Sequence, residues 1–162
     1  MKKFLITGIP GMGKTEIGDY LAKKHNFLHL DMEDRPWPQE FKHLNQFPVP
    51  ATQIMNLIKQ LGKATVLTWG FDPVGNREEI QELILNGATI IWFDGDRKLA
   101  LESWKKSKGR NLPNDDLFHI QINRIESSNI ITILNPIQYN TFNVNGVHKP
   151  HEEIAADLFN MT

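Results

Sequence analysis

One segment near the amino end, Gly8-Ile9-Pro10-Gly11-Met12-Gly13-Lys14-Thr15, leaves few folds open to this chain. It matches the pattern G-x-x-x-x-G-K-[ST] in full. The pattern has its required flanks. Phe4 to Thr7 is a short apolar run with strand character, and Lys14 to His25 has helical spacing with Ile17, Tyr20 and Leu21 on one face. Glycines let the loop turn its backbone N–H groups inward without a Cβ clash. Those groups and the amino end of the helix form a nest for an anion. Every residue from Gly8 to Thr15 is therefore a nucleotide-binding candidate. Lys14 places a point charge between the β- and γ-phosphates, and the Thr15 hydroxyl is the candidate ligand for Mg²⁺.

The rest of the chain alternates strand and helix signals. Phe27 to Leu30 is a strand ending at Asp31, and 35–50 is irregular with prolines at 36, 38, 48 and 50. Ala51 to Leu61 is an amphipathic helix stopped by Gly62, and Thr65 to Trp69 is a strand broken by Gly70. Asn76 to Asn86 reads as a helix ending at Gly87, and Ala88 to Phe93 as a strand ending at Asp94-Gly95. Asp96 to Lys106 is helical, 107–114 is a polar basic loop, and Asp115 begins another helix. Ile130 to Leu134 fits a strand by β-branching and a helix by period. The period favours a helix, broken near Ser127-Ser128, with the fifth strand at Asn140 to Val144. Pro150 to Phe159 closes the chain as a helix with proline in its first turn.

Such alternation predicts parallel βαβ units in one α/β domain spanning 1–162. Ligands of these sheets bind beyond the carboxyl ends of the strands. That rule brings Gly8 to Thr15, Asp31, Trp69 to Asp72 and Asp94 to one rim. Composition narrows the function. Lys and Arg number 18 against 19 Asp and Glu, which argues against a nucleic-acid binder working by bulk charge. There is no cysteine, hence no disulfide, thiolate metal site or cysteine nucleophile. No apolar run reaches the ~18 residues of a membrane span. Met1-Lys2-Lys3 before Phe4-Leu5-Ile6 imitates the start of a signal peptide, but Gly8 to Lys14 interrupts the apolar part too early. A cytoplasmic location is the expectation.

The phosphate loop, the short length and Asp31 at the end of the second strand resemble the small P-loop kinases, the superfamily of shikimate, gluconate and adenylate kinases. The stretches Trp69-Gly70-Phe71, Ile91 to Arg97 and Phe118 to Ile125 look like a P-loop ATPase subgroup within it that has no assigned substrate. The resemblance implies a three-layer α/β/α fold with a five-stranded parallel sheet in the order 2-3-1-4-5. It implies ATP with Mg²⁺ as phosphoryl donor and a short basic lid at about 105–114. Kinases of this type carry an acid where Asp31 stands, so Asp31 is the candidate that orients or deprotonates an acceptor hydroxyl. Asp34 is a second candidate. Lys108 and Arg110 are the lid cations expected to close on the triphosphate, and Arg124, one turn after Gln121, is placed to reach the nucleotide. Arg97 sits earlier, where it can hold the first turn of the preceding helix, and a solvated basic face accounts for at least two of the five cations Arg97, Lys105, Lys106, Lys108 and Arg110.

Asp31, Asp34, Arg35, Trp69 and Phe71 are candidates for the acceptor side, with Trp37, His43 and Arg77 nearby; ordinary packing explains at least half of these aromatics. The metal's second protein contact is open between Asp31 and Asp72 acting through water. Asp94 reads as a helix cap shared with Asp96. Trp92 and Trp104 read as core. His148 and His151 lack a third ligand for zinc. Asn145-Gly146 reads as a turn near the adenine position of related folds. Three functions fit: transfer of the γ-phosphate to a small hydroxyl-bearing metabolite, 5′-phosphorylation of a nucleotide or polynucleotide, or ATP turnover that switches a protein partner.

Overall fold

The computed structural model describes residues 1–33, 36–46, 48–107 and 115–161. Five strands, β1 (Lys3–Gly8), β2 (Leu28–Asp31), β3 (Thr65–Thr68), β4 (Thr89–Asp94) and β5 (Ile137–Asn140), form one sheet in the order β2-β3-β1-β4-β5. All four pairings are parallel, so the carboxyl ends of the strands share one edge. The inner strands are covered on both faces. That is why β1, β3 and β4 read as continuous apolar runs and not as alternating ones.

Helices α1 (Lys14–His25), α2 (Ala51–Leu61), α3 (Arg77–Leu85), α4 (Arg97–Ser107), α5 (Asp116–Ser128), α6 (Ile130–Leu134) and α7 (His151–Asn160) flank the sheet. A 3₁₀ turn over Gln39–Leu44 lies in the proline-rich stretch and buries Phe41 and Leu44. Helix α1 packs on β2, β3 and α7, while α2 packs on α3. Ile17 and Leu21 of α1 are fully buried, each worth about 1.5–3 kcal/mol by apolar burial. Gly18 lets the same helix close on the sheet, since a Cβ there would stand 2.4 Å from the His29 ring. His29 is held between Asp19 of α1 (3.0 Å) and the Thr68 hydroxyl of β3 (2.9 Å). Stacked rings of Phe4, Phe27 and Phe159 fasten α7 to the same face.

The fifth strand differs from the sequence expectation. It occupies Ile137–Asn140 and not 140–144, pairing Ile91 with Ile137 through Asp94 with Asn140. The helix over 130–134 is present, and Asn135 ends it in the left-handed conformation at φ 44°. Pro136 cannot continue a helix, so the strand begins at once. It ends early because the Asn140 side chain accepts the Phe142 N–H at 2.9 Å and turns the chain out of the sheet. The segment beyond folds back on itself through an antiparallel Phe142–His148 bridge. The break between α5 and α6 falls at Asn129, also left-handed at φ 56°.

Candidate functional site

The phosphate loop lies where the strand order places it, at the carboxyl end of the central strand β1. The Ile9 N–H bonds the Phe93 carbonyl of β4 at 3.1 Å, anchoring the start of the loop to the neighbouring strand. Gly11 has φ +77°, and a Cβ there would stand 2.0 Å from the Ala100 carbonyl oxygen of α4. Only glycine lets α4 sit this close to the loop. Ile9 and Met12 turn their side chains into the core, which leaves the backbone to face the cleft. Lys14 bridges the loop, its Nζ donating to the carbonyls of Gly8 (3.2 Å) and Ile9 (2.9 Å).

The first residues of α1 reach β2. The Thr15 hydroxyl donates to Asp31 Oδ2 at 3.0 Å. Asp31 is nearly buried; its Oδ1 accepts the Glu33 N–H at 3.1 Å, and its backbone carbonyl accepts the Trp37 indole N–H at 2.7 Å. Thus Asp31 is tied to the threonine of the loop and does not project into open space. The next carboxylate, Glu33, is exposed and lines the cleft. It faces Gly70, where a Cβ would stand 2.7 Å from Glu33 Oε1.

A cavity of about 570 Å³ opens over this edge. Its walls are the loop from Gly8 through Thr15 (Ile9 excepted), Asp31 and Glu33, the β3 tip from Gly70 to Pro73, Trp92, and Trp104, Gln121 and Arg124 from the helices. An ion pair between Asp72 and Arg124 joins the β3 tip to α5 across it. Asp72 is held by its own turn, its Oδ1 accepting the Val74 (3.0 Å) and Gly75 (3.3 Å) N–H groups. The Val74 N–H foremost, then the Gly75 N–H and the Arg124 charge, keep its carboxyl below the usual aspartate range against some burial.

Other expected residues fall elsewhere. Phe71 lines the cleft but is mostly buried. Trp69 is also buried, packs edge-on against Phe71 and borders a second cavity of about 340 Å³ with Met32, Trp37 and Asn76. His43 and Arg77 are exposed away from both cavities. Asp94 bonds the Gly95 N–H at 2.8 Å and pairs with Arg97, while Asp96 caps α4 through the Lys98 and Leu99 N–H groups, both at 2.9 Å. Lys105 pairs with Asp115. His148 packs tilted against the Phe142 ring, with 4.2 Å between centroids, and meets the Ser103 hydroxyl at 3.1 Å, whereas His151 lies against Tyr20. Asn145-Gly146 forms a turn outside the cleft. Asp34, Arg35, Lys108 and Arg110, with most of the expected lid, lie outside the described residues.

The sequence does not single out Glu33; Trp92, expected in the core, is buried there and also lines the cleft. The signal for Glu33 was available as an acid two positions beyond Asp31, the distance at which the Asp31 side chain caps its N–H. Among the described residues no group of three or more His, Asp or Glu side chains forms a ready metal cluster, and no helix is long and apolar enough to cross a membrane. The oxygen pair of Thr15 and Asp31 nevertheless suits Mg²⁺, which takes one or two protein oxygens and fills its shell with phosphate and water.

No protein-family model and no curated protein matches the chain. Solved structures do. A shikimate kinase from Acinetobacter baumannii, in complex with shikimate, superposes with TM-score 0.63 at 16% identity over 99% of this chain and 92% of that one. A sugar kinase from a Janibacter species gives 0.62 at 14% identity over 99% and 93%. A gluconokinase from Sinorhizobium meliloti gives 0.55 at 13% identity over 99% and 97%. At these identities the likeness is one of fold: a parallel sheet of this order with its phosphate loop at the β1 tip.

Proposed function

From the premise that the chain has the fold of the small P-loop kinases, we propose that it is an ATP-dependent phosphotransferase acting on a small hydroxyl-bearing metabolite. The observation that carries the reading is the shared cleft. The phosphate loop (Ile9 excepted), the Thr15–Asp31 pair and the open Glu33 carboxylate line one cavity of about 570 Å³, within the range of small-molecule sites.

The roles follow from what each group is already bonded to. The loop amides and the amino end of α1 bind the phosphates. Lys14 exchanges the Gly8 and Ile9 carbonyls for phosphate oxygens and holds the developing charge. Thr15 and Asp31 are the residues to hold Mg²⁺, Asp31 through its bond to Thr15. When bound, the ion neutralises phosphate charge during transfer. Glu33 is the carboxylate left facing the acceptor. It takes the proton that the acceptor hydroxyl gives up as that oxygen bonds the γ-phosphorus and the bond to the β-phosphate oxygen breaks. Arg124, presented across the cleft by Asp72, adds positive charge near the phosphates. Lys108 and Arg110 are proposed to close over them.

The exposed Glu33 carboxylate at the acceptor end opposes a polyanionic strand, which supports a metabolite over a polynucleotide. Measuring ATP consumption against metabolites, nucleosides and 5′-hydroxyl oligonucleotides tests this. An acceptor-dependent signal from a small metabolite, lost in Glu33→Gln, is expected. Acceptor-independent hydrolysis alone, or a signal only with oligonucleotides, would refute it.

A further inference from the structure

We propose that Gly70 is a positioning residue for the acceptor-side carboxylate. By carrying no side chain it leaves a seat in the cleft wall for the carboxyl group of Glu33. The proposal rests on the kinase reading above, which gives the proton transfer to Glu33 and no part to Gly70.

Glu33 is fixed at its root. Its N–H donates to Asp31 Oδ1 at 3.1 Å, and Asp31 is bonded in turn to Thr15 of the phosphate loop. The tip of the side chain is exposed on the cleft, and no hydrogen bond to a described residue fixes it. What the tip meets is Gly70. A Cβ built there would stand 2.7 Å from Glu33 Oε1, 3.3 Å from Cδ and 3.4 Å from Oε2, and these are its three nearest neighbours among the described residues.

Gly70 itself is held firmly. It lies just past the end of β3 at Thr68 and lines the cleft beside Phe71. Before it, the Trp69 N–H donates to the Ile6 carbonyl of β1 at 3.1 Å. On either side of it, the buried rings of Trp69 and Phe71 meet edge-on at 5.9 Å between centroids.

Backbone conformation does not account for this glycine. Gly8, Gly11, Gly13, Gly62, Gly87 and Gly146 have left-handed φ, and Gly70 does not. At such a position alanine ordinarily stabilises a chain by restricting its unfolded state. Packing does not account for it either. At Gly11 the crowding neighbour is helix backbone, whereas at Gly70 it is the far end of an exposed side chain, which swings aside freely. What glycine preserves at 70 is therefore the place of the carboxyl group. With a methyl there, Oε1 must retreat from 2.7 Å to the 3.4 Å or more of ordinary contact. A general base acts only within hydrogen-bond reach of the proton it takes, and a misplacement of about 1 Å costs on the order of a hundredfold in rate.

The experiment compares the parent with Gly70→Ala, Glu33→Gln and the double variant. D-gluconate, D-glucose, shikimate and adenosine are tried as acceptors, and the most active is used, with the acceptor-free rate subtracted. Residual turnover of the Glu33→Gln chains is followed with enzyme in excess over ATP. Gly70→Ala should melt level with the parent or up to about 4 °C above it. Its kcat should fall about tenfold to a hundredfold while the ATP KM stays unchanged. In the Glu33→Gln background the same substitution should change kcat by less than about twofold, because the group it displaces no longer takes the proton. A melting temperature more than about 2 °C below the parent overturns the proposal, since the fold itself would then need the glycine. Unchanged kcat in Gly70→Ala, or losses that multiply in the double variant, overturn it too. Turnover of none of the four acceptors counts against the kinase reading and takes the proposal with it, whereas full turnover in Gly70→Ala overturns the proposal alone.

Discussion

Gly11 and Gly13 make a controlled pair for testing how the phosphate loop is built. Both have left-handed backbone, with φ +77° and +74°. An alanine at either therefore carries the same conformational strain, roughly 1–2 kcal/mol. Their surroundings differ. A Cβ on Gly11 would stand 2.0 Å from the Ala100 carbonyl oxygen and 3.0 Å from Trp104 Cβ, while one on Gly13 meets nothing within 4 Å. Ala100 is backbone of a helix, so relief requires α4 to move, and forced overpacking costs about 1–3 kcal/mol. Gly13→Ala should thus lose about 1–2 kcal/mol and Gly11→Ala about 2–5 kcal/mol. In a chain of this size each kcal/mol is roughly 2–4 °C, so a difference of about 2 kcal/mol puts Gly11→Ala about 4–8 °C below Gly13→Ala. Thermal melts followed by circular dichroism read this, without nucleotide or Mg²⁺ because a ligand of the native state would add its own stabilisation. Melting temperatures within about 2 °C of each other, or in the reverse order, would refute the claim that α4 rests on the loop backbone.

Three further outcomes follow. Asp31→Asn keeps the shape that meets Thr15 but removes the charge; the Mg²⁺ concentration for half-maximal nucleotide binding should rise about tenfold, roughly 1.4 kcal/mol, with metal-free binding unchanged, and an unaltered Mg²⁺ dependence in calorimetric titration would remove Asp31 from the metal side. Burial foremost holds the His148 imidazole below its usual pKa, with the Gly11 carbonyl, Glu16 and the Thr141 carbonyl opposing and His151 adding to the shift; the unfolded chain therefore takes up the proton first, stability is full above about pH 6.5 and declines below it, and His148→Gln should flatten that decline in melts from pH 8 to 5, an identical decline counting against it. Asp72 has its folded-state pKa depressed, so its contribution is present above about pH 3.9 and is lost as pH falls through that value and below; the gap in melting temperature between the parent and Asp72→Asn should be open at pH 7 and close at acid pH, and a pH-independent gap would contradict the Asp72–Arg124 account.

Much of the fold was legible because its signals are local. The spacing Ile17, Tyr20, Leu21 and the apolar run before Asp94 report burial on one helical face and on both faces of a central strand. The fifth strand was misplaced because an edge strand of four residues, in which Ile137 is half-buried, Tyr139 buried and Gln138 and Asn140 exposed, has no such run. Its start is set by Asn135-Pro136 and its end by the Asn140 side chain, effects of single residues that periodicity does not carry. The site divides in the same way. The phosphate loop works through backbone geometry that glycine spacing encodes directly. Which carboxylate oxygens are engaged is a matter of tertiary structure, which bonds Asp31 to the Thr15 hydroxyl and leaves Glu33 exposed on the cleft. Trp92 is core, as its apolar run indicates; that it also lines the cleft is a property of its tertiary neighbours.

Everything proposed for this chain requires the loop from Gly8 to Thr15 to hold the phosphates of a nucleotide. Titration calorimetry with a magnesium complex of a non-hydrolysable ATP analogue measures this directly, on the parent chain and on Lys14→Ala checked for an unchanged circular dichroism spectrum. One molecule bound per chain is expected, with affinity reduced at least about tenfold in the variant by loss of a charge-assisted contact. A parent chain that binds no nucleotide, or a folded Lys14→Ala that binds it as tightly as the parent, would contradict the account.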